Sequence, residues 1–169
     1  ILRLVKWFLT GKWSAKECSL TILKARLDGR GVPASAMDES LNVLGEPLDT
    51  CSCAPMTGWY RDGKCNTDSN DRGSHTVCCV VTEEFLNYAL SKGNDLITPM
   101  PMHGFPGLKP GDSWCVCAQT WLDAVNAGTA CPIDMESTHQ KALEIIPFDL
   151  IETHAVWFIL LRMCIRRQT

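Results

Sequence analysis

Apolar and polar positions along the chain predict two short units in which a cysteine-bearing strand is followed by a helix. The first unit covers residues 77–93 and the second covers 114–128. In each, an apolar run of strand length leads to a threonine that would cap a helix, and a glycine ends that helix. A third, weaker unit covers 132–146 and is closed by a proline. The pattern therefore predicts an α+β fold, a small sheet with helices packed on it in three strand–helix units.

The two ends of the chain extend beyond these units. Segments 1–9 and 14–27 place apolar residues on one face of a helix, and a linker with glycine and proline follows them. We therefore predict a helical arm and linker at 1–40, a globular domain at 41–154 and an apolar, basic extension at 155–169. This extension is shorter than the ~20 apolar residues that span a bilayer, so we predict no transmembrane helix.

Formal charge divides the chain in the same way. The arm, residues 1–40, holds seven Lys or Arg against four Asp or Glu, whereas 41–154 holds six basic and fifteen acidic residues. An acidic body with basic ends argues against a nucleic-acid-binding domain. Basic and apolar ends favour docking on an acidic partner or an anionic surface, although solvated extensions would show the same composition.

From these ends we expect a non-catalytic binding or accessory subunit. It would dock through its arms on other protein chains of a larger assembly. In one alternative, this assembly is embedded in a membrane. The interface residues that we assign are Trp7, Phe8, Trp13, Lys16, Trp157, Phe158 and Arg162. The alternative is that the arm helices cover the body of their own chain. No catalytic residue is assigned, because the sequence lacks the Walker, Gly-x-Ser-x-Gly and His-Glu-x-x-His motifs.

Ten cysteines are a high count for 169 residues. Small disulfide-rich secreted proteins have little regular structure, whereas this chain shows regular helix and strand patterns. The neighbours Cys78 and Cys79 would face opposite sides of one strand and could not easily bond to each other. We therefore expect most thiols to be free and the compartment to be reducing, either the cytosol or the interior of an organelle (plastid or mitochondrion).

Six side chains form a candidate thiol or metal site: Cys51, Cys65, His75, Cys78, Cys115 and Cys117. Zinc takes four thiolate or imidazole ligands, and Cys115 and Cys117 would point the same way from one strand. Cys65 and His75 are the best candidates for the other two ligands. In a redox alternative, Cys78 or Cys115 pairs with one of the loop cysteines at positions 51 and 65. We favour a third alternative, packing thiols in the core, so no cofactor is assigned and zinc is kept only as an alternative.

A second candidate site is a set of ligand-loop residues: Arg61, Asp62, Asp71, Arg72, Asn94 and Asp95. His75 lies near several of them in sequence, and Asp, Arg and His side chains together can perform acid–base chemistry. The alternative is that Asp62 and Asp71 shape turns while the arginines pair with carboxylates. Asn94 and Asp95 would then belong to the end of a helix.

A proline-rich connection joins the first two units. Between Asn94 and Ser113 the chain has four prolines and three glycines, which exclude a helix and favour one fixed, extended path. We predict that Gly107 needs a positive φ on this path. Alanine at that position would then cost roughly 1 kcal/mol or more of stability.

Several long motifs resemble those of an uncharacterised bacterial family that also occurs in algae and plants. The motifs are Thr57–Gly63, Asp71–Cys78, Gly93–Leu96, Phe105–Asp112, Trp114–Cys117 and Thr138–His139. The resemblance covers about residues 42–155 and implies no established activity, substrate or cofactor. Both ends of the chain fall outside the family's pattern. We therefore expect any role particular to this protein to lie in its two arms.

Overall fold

The computed structural model of the protein describes residues 40–156. In this part of the chain the sheet has two antiparallel strands, β1 Val77–Val80 and β2 Ser113–Val116. The α-helices are α1 Glu83–Ser91, α2 Ala118–Asn126 and α3 Phe148–Thr153. Short 3-10 helices occupy Pro101–His103, Met135–Ser137 and Gln140–Glu144. The predicted α+β class, with a small sheet and packed helices, is confirmed.

The main apolar core lies on one face of the sheet, between the strands and the helices. Cys79 of β1 and Trp114 of β2 are opposite each other in the antiparallel register, and both belong to this core. Phe85 of α1 and Trp121 of α2 fill it and are fully buried. Because successive strand residues alternate between faces, Cys78 points the other way, as the sequence predicted.

The opposite face of the sheet carries two disulfides. Cys78 of β1 and Cys115 of β2 lie opposite each other and are buried. They bond to Cys51 and Cys65 respectively, so the loop-rich segment before β1 is fastened once to each strand. Cys53 is also disulfide-bonded, so only three of the eight cysteines among the described residues are free thiols. The expectation that most thiols are free is therefore wrong for this part of the chain, because the fold brings loop cysteines onto the strand cysteines.

The two strand–helix units begin their helices differently. Thr82 caps α1 as predicted, since its Oγ1 accepts a hydrogen bond from the Phe85 N–H at 3.2 Å. In the second unit the capping residue is Cys117, and the predicted cap, Thr120, lies inside the first turn of α2. The strand ends at Val116, two residues before the end of its apolar run at Ala118. As a result, Cys117 is a helix-terminal residue rather than a strand residue.

The third unit is less regular than predicted. Its strand is reduced to Ile133, which forms single bridges with Cys79 and Ala155. In place of the predicted helix up to residue 146 there is one 3-10 helix, Gln140–Glu144, and α3 follows it unpredicted. Pro147 stands at the N-cap of α3, where its fixed φ suits a helix start and its missing N–H costs nothing.

In the proline-rich connection the predicted positive φ of Gly107 is confirmed, whereas Pro101–His103 form a short 3-10 helix where an extended path was predicted. Gly107 has a φ of +77°, and a β-carbon added there would lie 2.3 Å from the carbonyl oxygen of Ile97. The next residue, Leu108, is buried and donates its N–H to the carbonyl of Leu96 at 2.8 Å. The connection therefore packs closely on itself at this point, and only glycine fits there without displacement.

Candidate functional site

Asp71, His75 and Cys117 form one continuous chain of side-chain contacts. Nδ1 of His75 lies 2.6 Å from Oδ1 of Asp71, and Nε2 of the same ring lies 3.2 Å from Sγ of Cys117. The imidazole therefore bridges a carboxylate and a thiol through its two nitrogens. This is the order of groups in a cysteine nucleophile that is activated by a histidine and an orienting acid.

The carboxylate of Asp71 is held in place from several directions. Its side chain is 0% exposed. Oδ2 accepts hydrogen bonds from the backbone N–H of His75 at 2.8 Å and from Oγ1 of Thr67 at 2.9 Å. Oδ1 is thereby directed at the imidazole. Asp71 and His75 are four residues apart, and the loop between them folds back. The carboxylate therefore hydrogen-bonds to both the backbone N–H and the ring of His75.

Cys117 sits at the N-terminus of the nine-residue helix α2. The positive end of the helix dipole therefore lies at this residue. The N–H of the first helical residue, Ala118, donates to the carbonyl of Ser74 at 3.0 Å. This bond ties the loop that carries His75 to the helix that carries Cys117, so the two side chains meet although they come from different units.

The electrostatics of the site favour a protonated imidazole. The hydrogen bond to Cys117 is the largest influence on His75; burial opposes it, Asp71 adds to it, and the net effect raises the pKa of His75 to about 9. Burial raises the pKa of Asp71, but hydrogen bonds from His75 and Thr67 outweigh it and hold that pKa below its usual range. An imidazolium donates from both nitrogens. Sγ of Cys117 is then the acceptor of the hydrogen bond from Nε2.

The pair of His75 and Cys117 is partly open to solvent. The side chain of His75 is 33% exposed, and Cys117 is half-buried. The ring of Trp59 stacks on the imidazole with a centroid distance of 5.8 Å and an interplanar angle of 16°. The backbone of Gly73 packs closely against both side chains. A β-carbon added there would lie 2.8 Å from Cε1 of His75 and 3.1 Å from Sγ of Cys117. The absence of a side chain at Gly73 thus leaves room for the contact.

The cysteines of the candidate thiol or metal site fall into two groups. Cys117 meets His75, whereas Cys65 and Cys115 are bonded to each other on the far face of the sheet. The zinc set drawn from these four residues is therefore not assembled in the structure. The pairing in the redox alternative, strand cysteine with loop cysteine, is confirmed by both disulfides, while its redox role stays a prediction.

Cys79 and Cys131 are the other free thiols of the described residues. Both are fully buried in the main core. Burial, together with the hydrogen-bonded Cys131 thiol, raises the pKa of Cys79 well above its usual value. These two cysteines fit the packing alternative, because buried thiols in apolar surroundings are unreactive.

The ligand-loop residues before β1 mostly bond within their own turns. Asp62 accepts from the Lys64 N–H at 3.0 Å and from Nδ2 of Asn66 at 2.7 Å. Arg61 has a φ of 54° and lies over a tryptophan ring of β2 at 5.0 Å. Arg72 is exposed. The structure therefore places Asp62 and Arg61 in roles that shape the loop and pack on the sheet.

Of the two ligand-loop residues after α1, Asn94 bonds to the end of that helix and Asp95 shapes the turn that follows. The N–H of Asn94 donates to the carbonyl of Ala89 at 2.9 Å. Oδ1 of Asp95 accepts from the N–H groups of Ile97 and Thr98, both at 2.9 Å. The hydrogen bond from the Thr98 backbone is the largest cause that lowers the pKa of Asp95. Of the whole loop set, Asp71 is the member that is hydrogen-bonded to His75.

The assigned interface residues lie outside the described part of the chain. They are Trp7, Phe8, Trp13, Lys16, Trp157, Phe158 and Arg162. Docking through the arms therefore stays a prediction. Within residues 40–156, no helix combines the length and the apolar character that a bilayer crossing requires.

Comparison with known proteins agrees with the predicted resemblance. A family model described as "Uncharacterized protein conserved in bacteria (DUF2237)" matches residues 41–155. This range contains Asp71, His75 and Cys117 and also both disulfides. The chain has no match among curated proteins. The resemblance that the sequence motifs indicated is confirmed over the same part of the chain.

Proposed function

We propose a function from the geometry of the site, since the chain belongs to the DUF2237 family. The description of that family, uncharacterized and conserved in bacteria, assigns no activity. The proposal is a cysteine-dependent enzyme of acyl transfer or hydrolysis. Cys117 is the nucleophile, His75 is the acid and base, and Asp71 orients His75. The observation that carries it is the hydrogen-bonded chain of these three side chains, with distances of 2.6 Å and 3.2 Å.

The proposed reaction begins with Cys117 as a thiolate and His75 protonated. The Cys117 thiolate attacks the carbonyl carbon of an ester, thioester or amide, and the carbonyl electron pair moves to the oxygen. Collapse of this intermediate breaks the bond to the leaving group, which takes the proton from Nε2 of His75. Water then adds to the resulting thioester while His75 removes its proton, and the acid product leaves as the Cys117 thiolate is restored.

The start of α2 offers groups that can stabilise the negative oxygen of the intermediate. The first N–H groups of an α-helix have no partner within the helix. The N–H of Ala118 is used by Ser74, so the next two, those of Gln119 and Thr120, are the donors that we assign to the oxyanion.

Acyl chemistry is favoured over thiol–disulfide exchange by the positions of the other thiols. Exchange needs a second, resolving cysteine that can reach the first. Among the described residues the other free thiols are Cys79 and Cys131, and both are fully buried in the main core. A histidine held by a buried carboxylate, in contrast, is what acyl transfer requires for its proton transfers.

The test uses p-nitrophenyl acetate with the full-length oxidised protein. We expect a rapid release of nitrophenolate equal to one per chain, and an acetyl adduct on Cys117 in peptide mass spectrometry. Cys117→Ala should abolish both, and His75→Gln should slow the burst strongly. His103→Gln is the matched control, because His103 is exposed on a 3-10 helix. An adduct on other residues only, or equal bursts in wild type and His75→Gln, would exclude the proposal.

Docking through the arms is a separate proposal and is compatible with an enzyme in the body. Its support is the sequence alone: apolar helix faces with basic residues in 1–27 and an apolar, basic end in 155–169. Deletion of residues 1–40 should release the chain from its assembly into a monomeric fraction on gel filtration. The reducing compartment, cytosol or organelle interior, likewise stays a prediction.

A further inference from the structure

Four buried cysteines converge on the face of the sheet that points away from the main core. Cys51, Cys65, Cys78 and Cys115 form a cluster of their own, and each is at most 2% exposed. They come from two loop positions and from two neighbouring strands. The two disulfides that they form are therefore in contact with each other rather than spread over the molecule.

Three of the four sulfur atoms lie close enough to share one metal ion, and the fourth is bonded to one of them. Those of Cys51, Cys65 and Cys78 are all within 4.8 Å of one another, and the sulfur of Cys115 is bonded to that of Cys65. A tetrahedral zinc site with zinc–sulfur bonds of about 2.3 Å needs sulfur–sulfur separations of about 3.8 Å. Once both disulfides are broken, the bonded sulfurs can move apart toward this value, and the sulfur of Cys115 has to move toward those of Cys51 and Cys78.

We propose that this four-cysteine cluster, when reduced, binds one Zn²⁺ through Cys51, Cys65, Cys78 and Cys115. Each disulfide takes two electrons and two protons from a dithiol reductant, which becomes a disulfide itself. The four thiols then lose four protons to the solvent as Zn²⁺ binds. With four protein ligands the site is closed, and the ion holds the loop to both strands as the disulfides do in the oxidised form.

The proposed zinc site is distinct from the pair of His75 and Cys117. Cys117 has left the strand and is engaged with His75, and it does not belong to the buried cluster. The proposal also does not rest on the proposed acyl chemistry. Its distinctive feature is a metal that is bound only after reduction, with sulfur as its only ligand atom.

The test uses the full-length protein, reduced with excess dithiol under anaerobic conditions and titrated with Zn²⁺ or Co²⁺. We expect one ion per chain, with the intense near-ultraviolet thiolate-to-cobalt band of a four-sulfur site, and no ion in the oxidised protein. Cys51→Ser and Cys65→Ser should lose the band. Cys117→Ala and Cys131→Ser are the matched controls and should retain it.

X-ray absorption of the zinc-loaded wild type provides a check that does not depend on whether variants fold. Four sulfur neighbours at about 2.3 Å are expected. A shell with a nitrogen neighbour, a loss of metal in Cys117→Ala equal to that in Cys51→Ser, or no stoichiometric binding by reduced and folded wild type would each overturn the proposal.

Discussion

The imidazole of His75 contacts the sulfur of Cys117 at 3.2 Å, although the two residues are 42 positions apart in the sequence. The contact depends on a loop that is anchored on the buried carboxylate of Asp71 and tied to the start of α2. It joins a residue before the first strand to a residue after the second.

The pKa of His75 is the most direct measure of the contact. In wild type it is raised to about 9, with the hydrogen bond to Cys117 as the largest cause and Asp71 as a further one. We predict that Cys117→Ala lowers this pKa markedly and that Asp71→Asn lowers it less. Titration of the imidazole Cε1 proton by NMR measures each value. A pKa that is unchanged in Cys117→Ala would contradict the assigned cause.

The same shift makes folding stability depend on pH. A histidine with a raised pKa stabilises the folded state when it is protonated. The contribution is fully present below its ordinary value of 6.5 and is lost as the pH rises through about 9. In urea unfolding, the free-energy difference between wild type and His75→Gln should therefore shrink across this interval. His103→Gln, at an exposed position, should show no such trend.

The fold class was predictable because it depends on local patterns. Alternation along the strand placed Cys78 and Cys79 on opposite faces, and Thr82 marked the start of α1. The prediction of the third unit was wrong in two respects. Its strand is reduced to the bridges of one residue, Ile133, and Pro147 begins a helix instead of only ending one. A proline after an apolar run is compatible with both outcomes, so the local pattern does not decide between them.

The candidate site was predictable only in parts. His75 and Cys117 belong to the predicted thiol or metal site and Asp71 to the predicted ligand loop, while Cys117 is predicted on a strand. The local pattern gave no sign that Cys117 caps the helix, because the apolar run continues through Cys117 to Ala118 while the strand ends at Val116. The disulfide connectivity and the contact of His75 with Cys117 depend on how the units pack, which spacing in the sequence does not determine.

Thiol reactivity should separate the free cysteines of the described residues. We predict that iodoacetamide, added to native protein without reductant, modifies Cys117 first. Cys79 and Cys131 should react only after unfolding, because both are fully buried. At pH 7 the reaction of Cys117 should slow by roughly tenfold or more in His75→Gln, since an unassisted cysteine is only a few per cent thiolate. Equal rates at Cys117 and Cys79, read from peptide mass spectrometry, would argue against this order.

Gly73 tests whether the site needs the close approach of the backbone. Alanine there would place a β-carbon 2.8 Å from Cε1 of His75 and 3.1 Å from Sγ of Cys117, so the imidazole must move. We predict a slower alkylation of Cys117 and a lower pKa of His75 in Gly73→Ala, with little loss of stability because a side chain can yield. Gly111→Ala is the control. Its positive φ of +97° is strained by alanine, yet nothing lies within 4 Å of the added β-carbon, so it should lower stability and leave Cys117 reactivity unchanged.

Gly107 and Gly104 form a matched pair in the proline-rich connection. Both have a positive φ, +77° and +61°, which is unfavourable for alanine by roughly 1 kcal/mol. At Gly104 an added β-carbon meets nothing within 4 Å, whereas at Gly107 it meets the Ile97 carbonyl oxygen at 2.3 Å. Gly107→Ala should therefore lower the free energy of unfolding by more than Gly104→Ala, because the backbone at Ile97 has to shift as well. Equal melting temperatures for the two variants would show that the connection yields at Ile97 without cost.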